Sequence, residues 1–247
     1  KKENIYDHNA AKVMGITKPG QIVIMVHCGS RGFGHQIGTD YLKLFLDVMP
    51  KYGIEILDKE LACAPFNSPE GQDYYKAMAC AANMAYANRQ VITHQIRKVF
   101  SQVFEKTAEE MEMNLVYDVA HNIAKLEKHR VNGKERELLV HRKGATRAFG
   151  PSRASELPKK YAKIGQPVIL GGSMETGSYL LLGTDGADET FASTAHGAGR
   201  TMSRAKAKRE IRGDKLQQDM EKKGIYVHAV TMAGLAEEAG AAYKDID

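Results

Sequence analysis

Three short apolar runs in this chain stop at the same kind of place, a polar loop that opens on histidine or glycine. The run 21–26 (Gln21, Ile22, Val23, Ile24, Met25, Val26) gives way to His27, Cys28, Gly29, Ser30 and Arg31. The run 115–120 gives way to His121 and Asn122, and 166–170 gives way to Gly171, Gly172 and Ser173. Runs this short and this rich in β-branched residues read as buried strands. A strand that ends in a glycine-bearing loop and passes into a helix is a common way to hold catalytic side chains and anion-binding amides. The pattern predicts an α+β chain whose strand ends face one cleft. Further strands are expected at 179–182 and 225–227, and a charged hairpin turns at Asn132-Gly133 with its return strand at 138–141. Helices are expected over 6–14, about 36–48 and about 200–212. The longest helical signal, 71–113, reads as two consecutive helices. An alanine-rich 74–87 leads into 89–112, where Val91, Ile92, Ile96, Val99, Phe100 and Val103 recur at helical spacing. This stretch reads as scaffold, with Asn83, Asn88, Arg89 and His94 on a satisfied helix face.

The chain of 247 residues is long enough to bury a sizeable core, and its 43% hydrophobic and 26% charged content is ordinary for a globular protein. A formal net charge of +5 permits a nucleic-acid partner without demanding one. No apolar run is long enough to span a bilayer, so no membrane partner is expected. The three cysteines, Cys28, Cys63 and Cys80, lack CxxC spacing, which argues for a reducing compartment, the cytoplasm. Neither end carries a recognisable terminus, and the chain reads as truncated at both ends.

The densest chemistry lies at 193–204. His196 stands among small residues, Gly197 and Gly199 follow, and Arg200 and Arg204 come four residues apart. The glycines let backbone amides approach a ligand as a phosphate cradle requires. On a helix, the two arginines would share a face and grip phosphates. His196 would then be an imidazole beside phosphate oxygens, placed to attack one or to shuttle a proton. A capped glycine turn with solvated arginines is an equal reading of this segment alone. His27 and His121, both at strand ends, suit a divalent metal because a sheet fixes the ring position. Arg142, Lys143 and Arg147 form a basic, glycine-containing loop that suits phosphate. The loop 171–178 has the small, hydroxyl-bearing composition of a nucleotide pocket wall.

Taken in order, the loops 27–35, 121–122, 142–146 and 171–178, with His196-Gly197-Ala198-Gly199-Arg200, resemble the RtcB family of RNA-splicing ligases. The likeness runs from about residue 5 to Asp247. It implies a single large mixed-sheet domain over 1–247, with helices packed around a central cleft. It also implies a GTP- and manganese-dependent enzyme, using two Mn2+ ions. Such an enzyme joins RNA 2′,3′-cyclic phosphate or 3′-phosphate ends to 5′-hydroxyl ends through a histidine–GMP intermediate, in tRNA splicing or RNA repair. The implied partners are RNA (tRNA halves or broken ends), GTP and an activating archease-like protein.

By position, His196 matches the guanylylated nucleophile, and His27 and His121 match manganese ligands. Asn122, Gly172, Ser173, Met174, Ser178, Gly197, Ala198, Gly199 and Tyr243 fall where the family contacts GTP. Arg31, Lys143, Arg200 and Arg204 fall where phosphates of the nucleotide or RNA are held. The family's aspartate–cysteine metal motif, its Gly-Asn-His motif and its guanine-reading lysine are expected outside residues 1–247. Cys28 stands where many members have threonine and is not the family's cysteine ligand. Two other readings use the same residues: a metal-dependent phosphoesterase without a covalent intermediate, and a non-catalytic RNA-binding fragment.

Overall fold

A computed structural model describes residues 4–246. Contacts divide the chain into two compact units, 1–124 and 125–247.

The first unit is built on helices. Asp7 caps α1 (His8–Met14), accepting from the Ala10 amide at 2.9 Å, and Gly15 closes it in the left-handed region at φ 85°. Helix α2 spans Arg31–Val48, so residues 31–35, expected as loop, form its opening turns. Helix α3 runs unbroken over Pro69–Phe104, where two helices were expected. Ser68 caps it, Pro69 occupies its first turn, and no glycine or proline follows between 72 and 104 to interrupt it. It ends at Glu105, which is left-handed at φ 53°. Tyr41 and Phe45 of α2 pack on Tyr74 of α3 with ring centroids 5.1 and 5.4 Å away. The helices approach closely at Gly34, where a Cβ would lie 3.4 Å from Ala81 Cβ.

The runs 21–26 and 115–120 do not form strands. A β-branched run takes strand form when a neighbour supplies a ladder. Among the described residues none pairs with 21–26, and Ile22 and Val23 stay 76% and 68% exposed.

The second unit carries the sheets. In place of one large mixed sheet, three two-stranded sheets form among the described residues. The first is the hairpin β1 (Asn122–Val131) and β2 (Lys134–Lys143), whose first strand begins within the preceding unit. Its turn, Asn132 at φ 50° and Gly133 at φ 75°, has the positive angles of a type I′ turn. Next, β3 (Ala145–Arg147) runs antiparallel to β6 (Ser193–Ala195). Finally, β4 (Pro167–Leu170) pairs with β5 (Tyr179–Leu182), close to the expected positions. Phe149, Thr146, Gln166 and Val168 are fully buried around these strands.

A second cluster, Met220, Val227 and Leu235, sits among α5 (Gly213–Lys222), α6 (Met232–Glu237) and the segment between them. The expected strand at 225–227 is not one. The expected helix 200–212 is shorter, α4 (Arg204–Glu210), because Ser203 caps it through the Lys206 amide. No helix is long and apolar enough to cross a membrane among the described residues.

Candidate functional site

The two units hold separate parts of the predicted site. In the first, the imidazoles of His27 and His121 meet with their Nε2 atoms 2.9 Å apart and their ring planes at 76°. At a metal–nitrogen distance of roughly 2.1 Å, two nitrogens so spaced subtend about 90°, which suits adjacent ligands on one ion. The pair therefore fits a shared divalent metal. Among the described residues, no group of three or more His, Cys, Asp or Glu side chains gathers as a metal site. Cys28 Sγ accepts a hydrogen bond from Asn88 Nδ2 at 3.2 Å.

Asn122 follows His121 at the exposed start of β1. Arg31, also exposed, opens α2 with a φ of 54°, a left-handed conformation uncommon for a side chain of this size.

In the second unit, the β3–β6 ladder brings distant segments together. Ala145 pairs with Ala195, so Lys143-Gly144 arrives where His196 begins. Gly144 turns there at φ 68°, and a Cβ on it would lie 3.7 Å from His196 Cε1. The 171–178 loop docks on the same place. Gly171 N donates to His196 O at 3.1 Å, and Ala198 N donates to Gly171 O at 2.9 Å. Gly197 allows this approach, since a Cβ there would lie 3.0 Å from Gly171 O.

The loop is closed by its own hydroxyls. Ser178 Oγ accepts from the Gly172 amide, and Thr176 Oγ1 accepts from Ser173 N at 2.8 Å. Gly172 is obligatory, because a Cβ would collide with the Gly177 carbonyl. Met174 packs from this loop onto the Met220 cluster.

Gly199, at φ 75°, redirects the chain after the nucleophile candidate, and Lys244 N donates to its carbonyl at 3.0 Å. Arg200 then bridges antiparallel to Tyr243. Each nitrogen of its guanidinium has a partner. Nε donates to Met202 O at 3.0 Å, Nη1 to Tyr243 OH at 2.8 Å and Nη2 to Glu237 O at 2.6 Å. Tyr243 in turn donates to Glu238, and burial followed by that bond pushes its phenol above the ordinary value.

Arg200 and Arg204 do not share a helix face, because α4 starts at Arg204. Arg204 Nε meets Glu237 Oε1 at 3.1 Å, and Lys208 Nζ meets Oε2 at 2.6 Å. The hydrogen bond from Lys208 comes first among the causes that hold the Glu237 carboxyl below its usual range.

Sequence reasoning missed Glu127 and misplaced Arg142. Arg142 was expected in a basic loop, yet it lies buried on β2 and grips Glu127 at 2.7 and 2.8 Å. The same guanidinium reaches Ser193 Oγ at 2.9 Å and Phe191 O at 3.0 Å, so it anchors the strand that leads to His196. The signal was available in the alternation of β2, which turns Arg142 inward and Lys143 outward.

The family model for tRNA-splicing ligase RtcB matches residues 1–247. A tRNA-splicing ligase RtcB of Methanococcus maripaludis is 54% identical over 99% of this chain and 51% of its own length. One from Archaeoglobus fulgidus is 54% identical over 98% of this chain and 50% of its own. One from Pyrococcus abyssi is 52% identical over 99% of this chain but 27% of its own. The chain thus spans about half the length of the first two relatives and less of the third. With a match over its full length and this level of identity, the chain belongs to the tRNA-splicing ligase RtcB family.

Proposed function

We propose that the chain is the central and C-terminal part of a GTP- and manganese-dependent RNA ligase acting in tRNA splicing or RNA repair. The observation that carries this is the docking of the 171–178 loop on His196 through the Gly171–Gly197 bridge. It brings the 171–178 loop and the glycine run onto the backbone at His196, with Gly144 beside the His196 ring, a setting that suits a nucleotidyl-transfer nucleophile.

In this reading His27 and His121 would hold one manganese ion, and a second would need further ligands. Manganese bound there would supply charge neutralisation at triphosphate oxygens. The protein's own groups do the rest. Gly197, Ala198, Gly199, Gly172 and Ser173 offer amides to the nucleotide, with Asn122, Met174, Ser178 and Tyr243 as further contacts. Lys143, Arg31 and Arg204 hold phosphates, Arg204 by exchanging the Glu237 carboxylate for a phosphate. Arg200 keeps Tyr243 and the 237–243 segment against the nucleophile loop.

An unprotonated nitrogen of His196 attacks the α-phosphorus of GTP, the N–P bond forms, and pyrophosphate leaves. The RNA 3′-phosphate then takes GMP from the histidine, and the 5′-hydroxyl displaces GMP as the phosphodiester closes. Imidazole serves here because it is largely neutral at physiological pH. An archease-like activating protein and a cytoplasmic setting belong to the same reading.

The test is covalent labelling. In the intact protein, α-labelled GTP with manganese marks the chain with an adduct stable to alkali and lost in mild acid. His196→Ala abolishes the mark. An acid-labile adduct that persists in His196→Ala moves the nucleophile elsewhere. No adduct in the wild-type protein favours a phosphoesterase.

A further inference from the structure

Helix α3 reaches the segments that carry His27 and His121 through one side chain. Arg89 lies midway along it, its guanidinium stacked 4.5 Å from the Tyr86 ring centroid. Nη1 donates to the carbonyl of Cys28, the residue after His27, at 3.1 Å. Nε donates to Asp118 Oδ1, three residues before His121, at 2.6 Å. One planar fork therefore ties together the two segments whose imidazoles meet. Its neighbour Asn88 adds a bond to Gly29 O at 2.9 Å on the His27 side. Two turns further on, Arg97 Nε and Nη2 donate to Met113 O at 3.1 and 2.8 Å, anchoring the far end of the His121 segment.

We propose that Arg89 is a positioning residue for the metal pair, holding His27 and His121 at the spacing one ion requires. The inference rests on the reading that these histidines share a metal. Three observations carry it. Neither histidine stands on a strand, so no sheet ladder sets the ring positions and the side-chain tethers set them instead. The Arg89 side chain is only 12% exposed, and it contacts both segments at once. Its Nη2 is buried with no hydrogen-bond partner among the described residues. A buried unpaired donor is destabilising, so stability alone is a poor reason to place an arginine there. Lysine carries the charge, but a point ammonium does not reproduce two bonds in fixed fork geometry.

The experiment uses the intact protein with Co2+ as a spectroscopic probe and Mn2+ for affinity. The variants are Arg89→Lys, Asp118→Ala and His27→Ala, each checked by near-UV circular dichroism and thermal melting without metal. Arg89→Lys is expected to weaken metal binding about 10- to 100-fold and to change the visible Co2+ bands, with metal-free melting little altered. Asp118→Ala removes one tether and shifts both readouts the same way; it also serves if Arg89→Lys does not fold. If His27→Ala loses metal while Arg89→Lys and Asp118→Ala bind as wild type, the metal reading stands and the positioning role falls. If His27→Ala binds metal normally, the metal reading itself falls. Weaker binding accompanied by loss of the metal-free near-UV signal assigns Arg89 to general stability and overturns the proposal.

Discussion

Arg200 and Arg31 were given the same role by sequence, and their surroundings separate them. Arg200 spends all three nitrogens on Met202, Tyr243 and Glu237. Arg31 is exposed on a left-handed backbone at the first position of α2. A non-glycine residue in that region costs about 1–3 kcal/mol, strain that a purely structural arginine has no reason to keep. Arg31→Gly relieves the strain and removes the guanidinium together. It is expected to leave the melting temperature unchanged or raised while weakening GMP labelling of His196. Thermal scans beside labelling assays check this, and a lower melting temperature with normal labelling would reverse the assignment. Gly172→Ala is expected to act oppositely on the fold. Its Cβ meets the Gly177 carbonyl, so the 171–178 loop must open, and GTP affinity measured by titration should fall with it.

At the scale of elements, the hairpin β1–β2 does more than its charged sequence announces. Its inward face buries Glu127, His129 and Arg142 together, and Arg142 extends the network to Ser193 on the approach to His196. Burial pushes the Glu127 carboxyl up, but the bonds from Arg142 and His129 outweigh it and hold the group below the usual carboxylate range. Its contribution to stability is then fully present above the ordinary glutamate value of roughly 4.3, and is lost as pH falls through the lower folded value. Glu127→Ala leaves Arg142 buried without its carboxylate and should cost about 3–5 kcal/mol in urea unfolding near neutral pH. Against Glu127→Gln, the stability gap should narrow below about pH 4; a gap constant from pH 7 to 3 would mean that the carboxylate charge contributes nothing.

Much of this element was legible. Asn132-Gly133 announced the turn, and β4 and β5 fall close to where their apolar runs stand. The run 21–26 misled, because strand propensity does not reveal whether a partner strand is present. The unbroken α3 misled in the other direction, since a change from alanine-rich to valine-rich sequence is no helix breaker. The histidine pair was legible as chemistry, whereas its tether, Arg89, read as an ordinary helix residue because nothing local marks a long-range bond.

Over the whole chain, charge is divided as unevenly as chemistry. Residues 1–124 carry 13 Lys and Arg against 14 Asp and Glu, while 125–247 carry 22 against 16. The excess positive charge therefore lies wholly in the unit that bears His196, with Lys125, Lys128, Arg130, Lys134, Arg136 and Lys143 all on its hairpin. A surface of this kind binds a polyanion by displacing counterions, so affinity for RNA should fall with salt. For single strands, the logarithmic slope steepens by about 0.7 per phosphate contacted. The slope then distinguishes arginines and lysines that touch phosphate from those that hold the fold. Lys143 is exposed beside the turn that meets the His196 ring, so Lys143→Ala in the intact protein should lower the slope by about 0.7 without altering the melting temperature. Arg200→Ala should do the reverse. Each of its guanidinium nitrogens bonds internally, so the melting temperature is expected to fall, and the salt slope for RNA with a 3′-phosphate end to stay at the wild-type value. Filter binding at three salt concentrations beside thermal scans measures both. A slope reduced equally in the two variants would place Arg200 on phosphate after all. An unchanged slope in Lys143→Ala would remove Lys143 from the RNA path.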